Sequence, residues 1–446
     1  MNNRRIIILI AAILLMFQSG SIYAETLNLN LKTARKITLE NNPSIKLARE
    51  GVNRSSQQII ESRAGLLPTV NAFSSLQHAW ELPTMIMNNP FTPGGGKLYF
   101  KMGSENTIAS GINFNQPVFS GGMIWNGYQI SKIGYNIAQS QLKSTEQNIL
   151  ANLTSAYYGV LFCQSALSVS EEALISAQEN LEQVRKFFDV GKSSRFDILR
   201  AEVQVANMKP MVVSARNNFR LAESRLRMIM GIGESTELNY TEEMELTYSD
   251  LTEKTLDELI EIALISRPEM MIMDDQKQIA SRQLSMSKAA FMPSIVLGTA
   301  YQYQGQRDDF KFVGDDFFKS FNSSISINIP LFNGFKNSAK LQQAKIAIKE
   351  SNHQAESLTN GIKLEVKGAF FTMKEAQEKV QTQQKTIEQA KEAQRLARLM
   401  YSEGASTQLD VLNADLAVQQ AKMNYNQSLF EYNVALANLK KSINQL

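Results

Sequence analysis

The chain has 446 residues, with 46 Lys+Arg against 43 Asp+Glu, two His and one Cys. A formal charge of +3 offers no broad cationic surface for a phosphate backbone, which argues against nucleic acid as a partner. One Cys and two distant His leave no internal disulfide and no His-rich metal cluster, so no metal and no cofactor is expected.

Residues 1–24 read as a secretory signal: Arg4 and Arg5, an apolar stretch from Ile6 to Phe17, then Ile22-Tyr23-Ala24 before Glu25. Beyond it no apolar run reaches the ~20 residues of a spanning helix. Cys163 is far from the cleavage point, so lipid anchoring at a new N-terminus is not expected. The mature chain is exported with a charge near +1, since only Arg4 and Arg5 are lost.

The remaining elements come in two rounds. The first has a leading helix in 25–67, an extended hairpin over 68–121 with an outer loop at 81–105, and a long helical hairpin over 122–231 with its tip at 190–197. A connector, 232–256, follows. The second round has a leading helix over 257–292, a hairpin over 293–334 with an outer loop at 305–320, and a helical hairpin over 335–446 with its tip at 403–410. Leu31, Pro43 and Pro68 match Leu256, Pro268 and Pro293 at an offset of 225. From the strand-to-helix turns onward, Pro117 to Gly121 against Pro330 to Gly334, the offset is 213, and it holds through Asp197 and Asp410. The chain is internally duplicated. The change of offset falls between Pro68 and Pro117, which places the longer surface loop in the first copy.

Gly122 to Gly191 encloses 68 residues without Pro, which as helix would span roughly 100 Å. Leu153, Val160, Leu167, Leu174, Leu181 and Phe188 recur every seven residues, with a parallel row of Ala156, Cys163, Ser170, Ala177 and Val184. The second copy keeps the spacing in Val366, Met373, Val380 and Ile387. That is coiled-coil spacing. The shorter return helices cover roughly 195–230 and 406–443, and Pro210 should bend the first of them.

Ile325, Ile327, Ile329 and Leu331 alternate with Ser326, Asn328 and Pro330, and similar alternation marks 107–116 and 299–304. Runs of about ten residues with one apolar and one small or polar face fit a transmembrane β-barrel. A half-buried sheet on a soluble core gives the same alternation. Long loops rich in Gly, Pro, Asn and Asp favour the barrel. Four strands cannot close one, and an open edge in lipid leaves backbone groups unpaired, so the chain should oligomerise. The expected fold is mixed: a long antiparallel coiled-coil helical barrel plus a β-barrel of four strands per protomer, 12 in a homotrimer.

Taken together, the double repeat, the two Pro-x-Phe-x-Gly turns (Pro117, Gly121; Pro330, Gly334) and the paired Gly-to-Asp tips resemble the TolC family of outer-membrane channels over essentially the whole mature chain. The resemblance implies a trimer in the outer membrane that reaches into the periplasm, with 232–256 as its equatorial connector. It implies the exit duct of a tripartite exporter, in contact with outer-membrane lipids, a periplasmic adaptor and an inner-membrane transporter of the RND, ABC or MFS type. It also implies a periplasmic gate at Asp197, Tyr401, Ser406, Asp410 and Asn413. Asp410 matches the family's acidic ring, Asn413 replaces its second carboxylate, and Tyr401 with Asp197 matches its closing tie. Ser406 stands where the family has an arginine. From the residues themselves, Asp197 and Asp410 also suit helix N-termini after a Gly-Ser tip. Gly191, Lys192, Ser193, Gly404 and Ala405 are the expected adaptor contacts.

Other features carry less. Pro93 to Lys97 lacks the first Gly and the Ser/Thr of a phosphate loop. Asp308, Asp309, Asp315 and Asp316 could bridge cations or simply be solvated. Met270, Met271 and Met273 read as core packing, and His78 and His353 lack partners for catalysis. No enzymatic activity is expected. The competing class is a periplasmic coiled-coil scaffold or adaptor.

Overall fold

The computed structural model describes residues 27–88, 96–246 and 249–446. The signal segment lies outside the described residues, as does 93–95 of the Gly-rich loop. The first repeat holds β1 (Leu27–Leu29), α1 (Leu31–Asn41), α2 (Pro43–Ala64), β2 (Thr69–His78), β3 (Thr84–Asn88), β4 (Lys97–Lys101), β5 (Asn106–Phe119), α3 (Met123–Asp189) and α4 (Arg195–Met230). After β6 (Leu238–Tyr240), the second repeat holds α5 (Leu256–Ser266), α6 (Pro268–Ala289), β7 (Ser294–Arg307), β8 (Phe317–Asn328), α7 (Lys336–Ser402) and α8 (Gln408–Ser442). No described helix is long and apolar enough to cross a membrane. The chain divides into one unit of residues up to 49, 142–268 and 359–446, and a second of 50–141 and 269–358.

The second unit is built on an antiparallel sheet of order β2-β5-β7-β8. The central β5–β7 pair joins the two repeats, and its register slips between Pro117 and Phe119, where Pro117 has no N–H to give. Directly opposed residues share a face. One such row is Ala72, Ile112, Tyr301 and Phe321, another Val70, Phe114, Thr299 and Ser323, and a third pairs Leu297 with Ile325. The opposite face carries Asn71, Asn113, Ala300 and Asn322, then Thr69, Asn115, Gly298 and Ser324. Phe73 and Phe318 are its aromatic exceptions. The apolar face is open: Phe321 is 69% and Ile325 70% exposed.

Two elements differ from the expectation. Inside the loop expected at 81–105, β3 and β4 form their own hairpin, from Thr84↔Lys101 to Asn88↔Lys97. The second loop is shorter than 305–320, because β7 runs to Arg307 and β8 starts at Phe317. Arg307 closes it through Asp309 (2.9 Å) and Asp316 (3.0 Å), and Asp308 Oδ1 accepts the Glu105 N–H (3.1 Å). Asp309 and Asp316 thus serve the loop itself and Asp308 ties it to the first hairpin, and no group of three or more His, Cys, Asp or Glu placed for a metal occurs among the described residues.

The first unit is helical. Each expected leading helix is in fact two. Asn42 ends α1, and its Oδ1 accepts the N–H groups of Ser44 (2.8 Å) and Ile45 (3.3 Å), while Pro43 suits a first helical position and has no N–H to give to the α1 ladder. Arg267 and Pro268 repeat the break, with Arg267 ion-paired to Glu365 (2.6 Å). Near this level Leu29, Leu153, Tyr157, Val160, Leu226 and Met230 form a buried core. The β1 strand pairs in parallel with β6 over three residues, a contact too short to leave a sequence pattern.

The long helices α3 and α7 each contain 67 residues, and α4 continues through Pro210. The heptad rows are used unequally along α3. Leu153 and Val160 are fully buried, but toward the tip Ala177 and Val184 take over and Phe188 is 42% exposed. An α-helix drifts against a strict seven-residue repeat, so the second row replaces the first. In α7, Val366, Met373 and Val380 are all buried. Cys163 is partly buried, and burial raises its thiol pKa.

Candidate functional site at the hairpin tips

Both tips end their long helix in the same way. Gly191 (φ 74°) and Gly404 (φ 76°) take left-handed backbone, which glycine adopts without a Cβ clash. Lys192 N–H donates to Phe187 O (2.7 Å) and Ala405 N–H to Met400 O (2.8 Å). Gly191, Lys192, Gly404 and Ala405 are exposed and Ser193 partly so.

Each return helix then opens with a capping box. Asp197 Oδ2 accepts from Ser194 N–H (3.0 Å), Ser194 Oγ (2.6 Å) and Ser193 Oγ (3.2 Å). Asp410 Oδ2 accepts from Thr407 N–H (2.8 Å) and Thr407 Oγ1 (2.7 Å). These bonds stabilise the charged form. The Ser194 hydroxyl and then its N–H hold the Asp197 carboxyl below its ordinary value, and Thr407 does the same for Asp410. Capping, one of the two roles open in the sequence, is therefore what these aspartates do within a protomer.

Tyr401 is partly buried against Phe187, with ring centroids 5.4 Å apart. Burial raises its hydroxyl pKa, and the charge of Asp197 adds to the effect. No hydrogen bond between Tyr401 and Asp197 is found among the described residues. Ser406 Oγ donates to Ala397 O (3.4 Å), and Asn413 is exposed.

A cluster that the sequence did not advertise lies just behind these residues. Arg398 donates to Asp415 Oδ1 through Nη2 (2.9 Å) and Nε (3.2 Å). Gln394 Nε2 donates to the same oxygen (2.7 Å). Arg398 Nη2 also donates to Ser176 Oγ (2.7 Å), whose hydroxyl donates to Asp415 Oδ2 (3.0 Å). Ser176 lies on α3, so this network ties the second hairpin to the first. Lys422 pairs with Glu172 across the same boundary, and a cavity of about 200 Å³ opens between them. At the tip itself, buried Gln408 donates through Nε2 to Asp197 O (3.2 Å). The only signal in the sequence is that Gln394 lies seven residues beyond Ile387, a polar residue at the next position of the coiled-coil row.

The outer membrane efflux protein family matches residues 35–232 and 259–445, one segment for each repeat. The chain belongs to that family. Among curated relatives of this efflux protein, the outer membrane protein TolC of Vibrio cholerae is 21% identical over 431 residues, covering 96% of this chain and 92% of the relative. The alkaline protease secretion protein AprF of Pseudomonas aeruginosa is 21% identical, covering 92% of this chain and 84% of its own. Among solved structures, the Campylobacter jejuni CmeC outer membrane channel superposes with a TM-score of 0.76 at 17% identity, over 96% of this chain and 91% of that one. The expected family and mixed, duplicated fold are thereby met.

At the strand-to-helix turns of this efflux protein, Gly121 has φ 62° and a Cβ there would lie 2.9 Å from Ala289 O. Gly334 repeats the conformation at φ 64°, but the next residue differs: Gly122 has φ 86° and Phe335 has φ 65°.

Proposed function

We propose that this outer membrane efflux protein is a passive exit channel of an efflux or secretion system, assembled as a homotrimer and gated at its periplasmic tips. The observation that carries the reading is the two-faced sheet. A face of Ile, Leu, Phe and Tyr left open on one side suits lipid, and a face of Asn, Ser, Thr and Gln on the other suits a water-filled lumen. A periplasmic scaffold would have to cover that apolar face, and the family and its relatives do not favour one.

Strands β2 and β8 are the sheet margins. They run in opposite directions, so β8 of one copy can accept β2 of the next in the antiparallel sense, and three copies make 12 strands without an edge. Leu199, Val203, Val213, Leu221 and Met228 on α4 are also exposed, and a neighbouring copy would cover them. At the tips, Asp410 from three copies would form a ring that attracts cations, and exposed Asn413 would line it without adding charge. Tyr401 has a hydroxyl free to reach a neighbouring tip, while Ser406 offers only a short donor. Gly191, Lys192, Ser193, Gly404 and Ala405 offer exposed backbone and a cation to a periplasmic adaptor, and an inner-membrane transporter would supply the energy. One relative's name concerns protease secretion and the family's concerns efflux, so cargo selection is assigned to adaptor and transporter.

The test is single-channel conductance in planar bilayers, with light scattering in detergent to count copies. Discrete pores from a species of three protomer masses are expected, with larger conductance in Asp197→Ala and Tyr401→Phe. A monomer soluble without detergent would overturn the channel. Unchanged current in both variants would remove the gate assignment alone.

A further inference from the structure

Away from the tips, in the same helical unit, a pocket of about 320 Å³ is lined by Lys32, Arg35, Tyr158, Glu242, Asn433 and Lys440, among others. Its charge is unbalanced. Three cations face it against one carboxylate, and that carboxylate is committed elsewhere. Glu242 Oε2 accepts from the Leu31 N–H (3.2 Å) and the Tyr157 hydroxyl (3.1 Å).

Neither Arg35 nor Lys440 makes an ion pair or hydrogen bond among the described residues, although both are partly buried. Arg35 Nε is buried and unpartnered. Burial lowers the Arg35 pKa, and burial together with the Arg35 charge lowers that of Lys440. Two cations held near each other, partly out of water and with no ion-pair partner, oppose folding. A group that pairs with both removes the penalty. The planar guanidinium suits two oxygens of one oxyanion, and an ammonium suits a third. The Tyr158 ring lines the same space, and burial raises its hydroxyl pKa, which keeps it a donor.

We propose that Arg35, Lys440 and Tyr158 form a seat for an oxyanion, a phosphate or carboxylate group, in this pocket. Two sources share the chemistry: a free anion, or a carboxylate side chain of a second copy of this chain. Only the second rests on the trimer reading.

The experiment uses the mature full-length protein in detergent. It combines calorimetric titration with inorganic phosphate at constant ionic strength, the temperature of oligomer dissociation, and light scattering. Saturable phosphate binding that weakens about tenfold or more in Arg35→Met and in Lys440→Met, and less in Arg35→Lys, supports a free anion. No phosphate binding, with a lower dissociation temperature in both Met variants and near-normal behaviour in Arg35→Lys, supports a neighbour's carboxylate. No phosphate binding together with Met variants at or above the wild-type temperature overturns the seat, because deleting an uncompensated cation should then help. Arg35→Gln and Lys440→Gln replace the Met variants if those do not fold. A monomer by light scattering defeats the trimer reading separately, and the phosphate titration still decides the seat.

Discussion

The two hairpin tips carry the same ion pair with different surroundings. In the first repeat Arg185 pairs with Glu202 at 2.9 Å, and the side chains are 57% and 38% exposed. At the same offset of 213, Arg398 pairs with Asp415, also at 2.9 Å, with side chains 43% and 18% exposed. Gln394 and Ser176 add bonds only in the second copy, where the position matching Gln394 in the first is Leu181. Duplication supplied one pair twice, and a shorter acid with two extra donors turned one of them into a link between hairpins. An exposed pair is worth little. A partly buried one with several bonds is costly to break.

The largest expected effect follows from that contrast. Asp415→Ala should cost about 2 kcal/mol, because it leaves Arg398 and Gln394 without their acceptor. Glu202→Ala should cost less than ~1 kcal/mol. Thermal dissociation in detergent measures both, and equal losses would erase the distinction between the repeats.

The strand-to-helix turns give the next contrast. Left-handed backbone disfavours a side chain by roughly 1–2 kcal/mol, so Gly122→Ala should destabilise by about that amount. Phe335→Gly should stabilise by up to ~1 kcal/mol, the gain being reduced because the Phe332–Phe335 ring contact, at 5.5 Å, is lost. The same melting assay reads the pair, and a loss of stability in Phe335→Gly would mean the ring contact outweighs the strain.

The capping boxes should behave alike. Ser194→Ala and Thr407→Ala should each cost about 1 kcal/mol locally, read as faster exchange of the Asp197 and Asp410 amide protons. A cap that loses nothing would show that its tip is held by other contacts, such as Gln408.

The smallest effect is with pH. Both carboxyls are held below their ordinary value, so their contribution is present above the unfolded pKa near ~4 and is lost as pH falls through the lower folded one. Amide protection at both tips should fall together below about pH 4. Loss at one tip alone would break the equivalence.

Much of the local structure was legible because it depends on near neighbours. Gly191 and Gly404 marked the ends of the long helices, Asp197 and Asp410 after their tips marked the starts of the return helices, and the Ile325 run marked a strand. The break at Asn42-Pro43 was also written there, but the apolar pattern on either side ran on and masked it. Less legible was anything whose partner is remote in the chain. Glu202 and Asp415 look alike in sequence, and Arg35 looks like any helical arginine.

The order of residues by itself determined the duplication, the coiled-coil spacing, the two-faced strands and the capping aspartates, since each is a periodicity or a contact within about four residues. Tertiary structure alone decided that Asp415 joins Ser176, that β1 meets β6, and that Arg35 and Lys440 share a pocket in which neither has an ion-pair partner among the described residues. Those links arise only when segments more than two hundred residues apart are brought side by side, as Ser176 and Asp415 are, and a local pattern does not carry that information.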